Sequence, residues 1–282
     1  MPDSDFALTP RGYRRKSLIN VVKGGATIQR AERSWLHLSM RGDVLSTHVT
    51  DHALVGIALP PPPPPPPNGW VSYADWSNGS GTPISLFDTT WTVPPPPAAD
   101  SGQLLYLVNG MEDAAVTHIL QPVLQWGKSP APNSGQFWGV ASWWVGRDAD
   151  QTFVTELVPV QPGQILTGRM TLDAQYGGGR FSYSSEFVGI PGTKLTAQDL
   201  PELTICTETL EVYGVTGTAD YPAVDRTAFT GIKLQSGAAL GSVGWTAKGD
   251  YPPQVISNSA TAGEVDIFYP AQQQLVALLG PG

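Results

Sequence analysis

The chain of 282 residues has a single cysteine, Cys206, and four histidines, His37, His48, His52 and His118. One thiol excludes an intramolecular disulfide and a thiolate zinc site. The scattered histidines leave no Cys/His metal centre, and only carboxylate sites for calcium stay open; no cofactor is called for. Charge is scarce as well, at 14% of residues against the roughly 25% usual in soluble domains. Long helices carry Glu, Lys and Arg on their wet faces, so this scarcity argues against helical architecture. No stretch approaches the roughly 20 apolar residues of a membrane span. Arg11, Arg14, Arg15 and Lys16 near the start are not followed by the apolar core of a secretory signal. Where the protein resides is therefore not legible.

Glycine and proline are plentiful, 31 and 27 residues, together more than a fifth of the chain. With nine tryptophans and many Thr and Val, this composition reads as short strands joined by frequent turns. The expected fold class is all-β, an antiparallel β-sandwich.

Eight consecutive prolines, Pro60 to Pro67, form a stiff polyproline spacer. They divide an N-terminal arm, 1–59, from a sandwich domain, 68–282, whose strands run from Asn68 to Tyr269. A linker explains the run better than an SH3 or WW ligand, because no arginine flanks it as a docking residue. Residues 1–67 hold eight Lys/Arg and five Asp/Glu, a balance of +3; the remainder holds eight and nineteen, a balance of −11. An acidic domain repels phosphate backbones, so nucleic acid is an improbable partner. The arm lacks strong periodicity and is expected to be disordered or loosely docked.

Strand signals then follow closely. They comprise Trp70 to Trp76, Ile84 to Val93, a pair Leu104 to Val108 and Ala115 to Trp126 around Asn109-Gly110, and Phe137 to Val145. Phe153 to Val160, Ile165 to Leu172, Tyr176 to Ser184, Ile205 to Tyr213, Ala228 to Leu234 and Val265 to Tyr269 complete the set. Strands this short and this closely spaced point to a sandwich or barrel.

With one histidine in the domain, no Ser/His/Asp triad is available, and no Gly-rich loop has the context of a phosphate cradle. Carboxylates and amides remain. Period-two alternation places Ile119, Gln121, Val123 and Gln125 on one face of their strand. In the later strand Thr207, Thr209, Glu211 and Tyr213 share a polar face, while Cys206, Glu208, Leu210 and Val212 share an apolar one.

The order Tyr106-Leu107-Val108-Asn109-Gly110-Met111-Glu112-Asp113, Ile119-Leu120-Gln121, Thr155 to Pro159, Gly163-Gln164-Ile165 and Thr209-Leu210-Glu211 resembles the eqolisins, or glutamic peptidases. The stretch Glu264 to Tyr269 is similar to microbial concanavalin-like proteins. Tyr106 stands where the family has Trp, and Gly110-Met111-Glu112 replaces its Gly-Asp turn. The resemblance implies a concanavalin A-like jelly roll and an acid-acting endopeptidase with peptide or protein substrates. It implies Gln121 and Glu211 as a catalytic dyad, with Glu211 activating water and Gln121 supporting the oxyanion. Glu156, Tyr106, Asp113, Gln125, Trp138 and Trp144 would bind substrate or support the site. It further implies secretion, and a basic arm lying over the acidic cleft as a removable inhibitory segment.

Two other classes fit the composition. Exposed tryptophans beside Asn, Gln and Asp suit a carbohydrate-binding, lectin-like sandwich without catalysis, and a self-associating surface protein needs no ligand at all. Fold cannot choose among them.

Overall fold

The computed structural model describes residues 5–39, 41–50, 68–146, 150–237 and 240–270. The polyproline spacer and His52 lie outside the described residues. In chain order the strands of the arm are β1 (Phe6–Thr9), β2 (Gly12–Arg15), β3 (Ile19–Val22), β4 (Ala26–Ala31), β5 (Ser34–Leu38) and β6 (Val44–Val49). The domain begins with β7 (Asn68–Ser77), β8 (Ile84–Thr92), β9 (Leu104–Asp113), β10 (His118–Gly127) and β11 (Gly135–Gly146). It continues with β12 (Thr152–Thr155), β13 (Val158–Pro159), β14 (Ile165–Tyr176), β15 (Arg180–Phe187) and β16 (Leu195–Leu200). The last strands are β17 (Leu203–Tyr213), β18 (Arg226–Ser236), β19 (Thr246–Lys248), β20 (Gln254–Ser257) and β21 (Gly263–Phe268).

Among the described residues these strands make two large sheets and one hairpin. The first sheet runs β19-β7-β17-β9-β10-β11-β12-β3, with β13 also paired to β11. The second runs β20-β21-β18-β8-β14-β15-β16-β4-β5-β6. They pack face to face around a core that includes Leu105, Leu107, Leu120, Leu124, Trp91, Trp138, Trp144, Phe187 and Leu210, as a sandwich requires. The fold is all-β. Among the described residues no helix is long and apolar enough to cross a membrane.

The arm is docked, by strand pairing rather than loosely. β3 adds in parallel to β12 and β4 adds in parallel to β16, so the arm extends both sheets at the same end. Between them the chain crosses from one sheet to the other at Gly24, where a Cβ would lie 2.3 Å from the Gly192 backbone. The arm's apolar residues are too sparsely spaced to show helical or strand periodicity alone. Ile28 and Trp35 nonetheless become fully buried once the domain supplies the opposite wall. Among the described residues, β1 and β2 are the strands that pair with no strand but each other.

One local expectation is corrected. Asn109-Gly110 is not a turn, since β9 runs straight through to Asp113 and the reversal falls at Ala114–Val116, where Val116 N–H bonds the Asp113 carbonyl. Gly110 serves close packing instead, because a Cβ there would lie 2.8 Å from Ile119 Cδ1 and 3.2 Å from Thr207 Cγ2. A further strand, β16, forms at 195–200, a stretch that carries none of the strand signals named above.

Glu208 projects between the sheets and is fully buried. Thr89 donates a hydroxyl hydrogen bond to its Oε1, while Oε2 has no partner. Burial pushes its pKa well above the ordinary value, so the carboxyl is neutral in the fold. Asn109 sits opposite in register, and its Oδ1 also lacks a donor. Protonation makes Oε2 a potential donor and removes the cost of burying a charge there. Glu208→Gln, which keeps an N–H there, is expected to change stability by less than about 1 kcal/mol near pH 5 in urea titration. Because the folded pKa is raised, the parent should lose stability as pH climbs above the unfolded value, and the variant should not. A loss of several kcal/mol at pH 5 would mean that a charged carboxylate is needed.

Candidate active site

The outer face of the first sheet carries the polar residues that the alternation predicts. Glu211 on β17 faces Tyr106 on β9, and Tyr106 faces Gln125 on β10. This row is one cross-strand line through three neighbouring strands. Leu120 opposite Met111 and Val123 opposite Val108 set Gln121 level with Gly110, and Gly110 faces Thr207. Gln121 and Glu211 therefore share a sheet and a face, yet Gln121 stands four residues farther along, roughly 13 Å at a strand's rise. The residue across Gly110 from Gln121 is Thr207. The structure brings Glu211 together with Tyr106 and Tyr213, and it does not bring Gln121 to Glu211.

Neither residue opens to solvent, since Glu211 and Gln121 are each 1% exposed. A second apolar cluster covers this face, with Tyr106, Val108, Ile119, Val123, Trp143 and Tyr213 at its centre and Leu8 and Ile19 of the arm packed on it. The cover over Glu211 is the β1–β2 hairpin. Its two-residue tip is Pro10-Arg11, and Arg11 sits at φ 75°, where a non-glycine side chain is uncommon. From that position the Arg11 backbone N–H donates to Glu211 Oε1 at 2.7 Å, and the Tyr213 hydroxyl donates to the same oxygen. The Arg11 guanidinium bonds Glu112 Oε2 at 2.9 Å and lies 5.6 Å from the centre of the Trp70 ring. Beside them a cavity of about 310 Å³ is lined by Arg11, Gly12, Asn68, Gly69, Trp70, Glu211 and Tyr213.

Electrostatics follow from this cover. Burial pushes Glu211 up to about 7, although the Tyr213 hydroxyl and the Arg11 N–H pull it back. Burial and then Glu211 raise the Tyr213 and Tyr106 phenols, so both stay protonated, and Tyr213 is the one that donates to Glu211. Burial raises Glu112 against the pull of Arg11. The Nε2 of Gln121 has no hydrogen-bond partner, whereas Gln125 Nε2 donates to Ser129 at 2.9 Å.

The other candidates lie elsewhere. Asp113 binds Thr117 and His118 at the far end of β9. His118 bridges Asp113 Oδ2 at 3.1 Å and Asp150 Oδ2 at 2.8 Å while stacking on Trp144. Burial opposes both charges, yet these bonds hold Asp113 and Asp150 at about 2 and raise His118. Glu156 is exposed between β12 and β13, away from the row. Trp138 and Trp144 are packed between the sheets, 2% and 0% exposed, because their side of β11 faces the core. At these two positions the buried rings offer no stacking platform, whereas Trp70 and Trp76 stay partly exposed. Among the described residues no group of three or more His, Cys, Asp or Glu side chains is gathered as a metal would need.

Arg11 and the acceptor role of Glu112 escaped the sequence reading. Pro10-Arg11-Gly12 is a turn signal, but nothing local says which distant carboxylates that turn meets.

No family model and no curated protein matches the chain. Among solved structures it is similar to scytalido-glutamic peptidase with a peptide-based transition-state analogue, at 12% identity and TM-score 0.43, covering 72% of this chain and 99% of that one. It is also similar to SCP-B, a member of the eqolisin family of peptidases, in complex with the tripeptide Ala-Ile-His. There the identity is 12%, the TM-score 0.41, and the coverage again 72% and 99%.

Proposed function

We propose that this protein hydrolyses peptide bonds with Glu211 as its acid–base group, and that the β1–β2 hairpin holds the site closed. The observation that carries this reading is a peptide N–H, that of Arg11, seated 2.7 Å from a buried carboxyl whose pKa is pushed up to about 7. A leaving amine in hydrolysis needs its nitrogen at such a position.

With the hairpin displaced, water reaches Glu211 and its pKa falls toward the ordinary range, so the ionised form is present in mild acid. The carboxylate then takes a proton from water, the hydroxide attacks the carbonyl carbon, and the neutral Tyr213 hydroxyl donates to the developing oxyanion. Protonated Glu211 returns its proton to the leaving nitrogen as the C–N bond breaks. The Gln/Glu dyad first expected is replaced in this reading by a Tyr213/Glu211 pair. Gln121, buried with an unpaired Nε2 on the same face, stands apart from this pair and takes no step in it.

The inhibitory segment is narrower than the whole arm. β3 to β6 belong to the sheets, and among the described residues of the arm the hairpin is the part whose strands pair with neither sheet. Arg11→Ala removes the guanidinium contacts and leaves a strained φ without compensation. Incubated with denatured protein from pH 2 to pH 7, this variant is expected to cleave at least about tenfold faster than the parent, because a weakened plug raises the open fraction. Absence of cleavage by both proteins across the range would end the assignment.

A further inference from the structure

We infer that Glu112 and Trp70 form a recognition seat for an arginine side chain of a bound peptide, namely the residue whose backbone N–H meets Glu211. This rests on the reading that peptides occupy this groove, but not on their being cleaved.

The seat is built for a cation. Glu112 is 3% exposed, and Arg11 is the partner that offsets its buried charge. Asp75 and Asp113 add negative potential around it. Trp70 presents its ring to the guanidinium at 5.6 Å and is braced edge-on by Tyr73 at 5.2 Å. The Arg11 side chain itself is only 16% exposed, so the groove, not the solvent, takes its length. Arginine satisfies this arrangement better than lysine, because its planar head bonds a carboxylate edge and lies near an aromatic face at once. Strain points the same way. Arg11 keeps φ 75° at a turn position where glycine or asparagine is free to sit; any residue there would offer the N–H that meets Glu211, and what arginine adds is a side chain that reaches Glu112 and Trp70.

Both anchors belong to one residue: the backbone N–H on Glu211 and the guanidinium on Glu112. In a substrate, the residue whose N–H faces the acid–base group follows the attacked bond. Peptides with arginine just after that bond are thus the class this groove selects, and the hairpin occupies it as an internal mimic.

The test uses the full chain carrying Arg11→Ala, which vacates the seat. Two capped peptides, Leu-Thr-Pro-Arg-Gly-Tyr (the sequence of residues 8–13) and the same peptide with Ala for Arg, are titrated by calorimetry, with mass spectrometry checking that they stay intact. The arginine peptide is expected to bind about tenfold or more tightly than the alanine one, the scale of one charge-assisted hydrogen bond. Adding Glu112→Gln should cut that preference to within about threefold, and Trp70→Leu, at a less buried position, should weaken it as well. Equal affinities, no binding, or a preference that survives both substitutions would overturn the seat. Binding without cleavage would leave the seat standing and remove only the peptidase reading.

Discussion

Glu211→Gln in the Arg11→Ala background is expected to lower peptide-bond cleavage by at least about a hundredfold, the scale of a lost acid–base group. The amide keeps the shape and still accepts from Tyr213, but it cannot carry a proton from water to the leaving nitrogen. The same substitution has a second readout in the parent background. Burial raises Glu211 to about 7. A raised folded pKa gives stability that is full below the unfolded value near 4.5 and is lost as pH rises through 7. The parent therefore loses on the order of 3 kcal/mol across that window at this site, at about 1.4 kcal/mol per pH unit. The glutamine variant has nothing to ionise there, so its stability relative to the parent should climb between pH 4.5 and pH 7 in urea titrations. A difference that stays constant across the window would mean that the buried carboxyl does not titrate there. Undiminished turnover would remove Glu211 from the chemistry.

Trp35→Ala should produce the largest loss of stability, about 3–5 kcal/mol, as for other aromatic truncations in cores. Trp35 comes from the arm, yet it is fully buried, with its ring 5.2 Å from Trp144 and 5.8 Å from Phe153. Its indole N–H donates to Asp150 Oδ1 at 2.8 Å, and Arg30, another arm residue, binds the other oxygen of that carboxylate. Truncation leaves a cavity at the junction of β5 with the domain and takes a donor from Asp150. Urea unfolding measures the cost, and hydrogen exchange should show β4 and β5 losing protection first. A cost below about 1 kcal/mol would mean that the arm packs as an appendage and not as part of the core. Arg11→Ala, by contrast, removes only the contacts of the hairpin tip with Glu112 and Trp70.

How far the site could be read from sequence differs residue by residue. Alternation along Cys206 to Tyr213 placed Glu211 with Thr207, Thr209 and Tyr213 on a polar face, and placed Glu208 toward the core. Both assignments hold, because a strand's side chains alternate whatever it pairs with. The resemblance implied Gln121 and Glu211 as a pair, but register decides which residues stand level, and β9 sets Thr207 against Gln121. Register depends on where each turn closes, and the turn at Ala114–Val116 was misplaced to Asn109-Gly110, a dipeptide that usually marks one. Trp138 and Trp144 were candidate platforms on residue type alone. Their burial follows from which side of β11 faces the other sheet, a fact no single strand contains.

By itself, then, the amino-acid sequence determined the all-β class, the division of charge between arm and domain, and the face on which Glu211 stands. These follow from composition and two-residue periodicity, which act locally. Tertiary structure decided the rest. It built β3 to β6 into the two sheets, because the unpaired edges of β12 and β16 offer backbone groups that a neighbouring strand satisfies. It also laid Pro10-Arg11 over Glu211, 200 residues away in sequence, because an acidic face buried beneath a basic hairpin needs the charge and the N–H that Arg11 supplies.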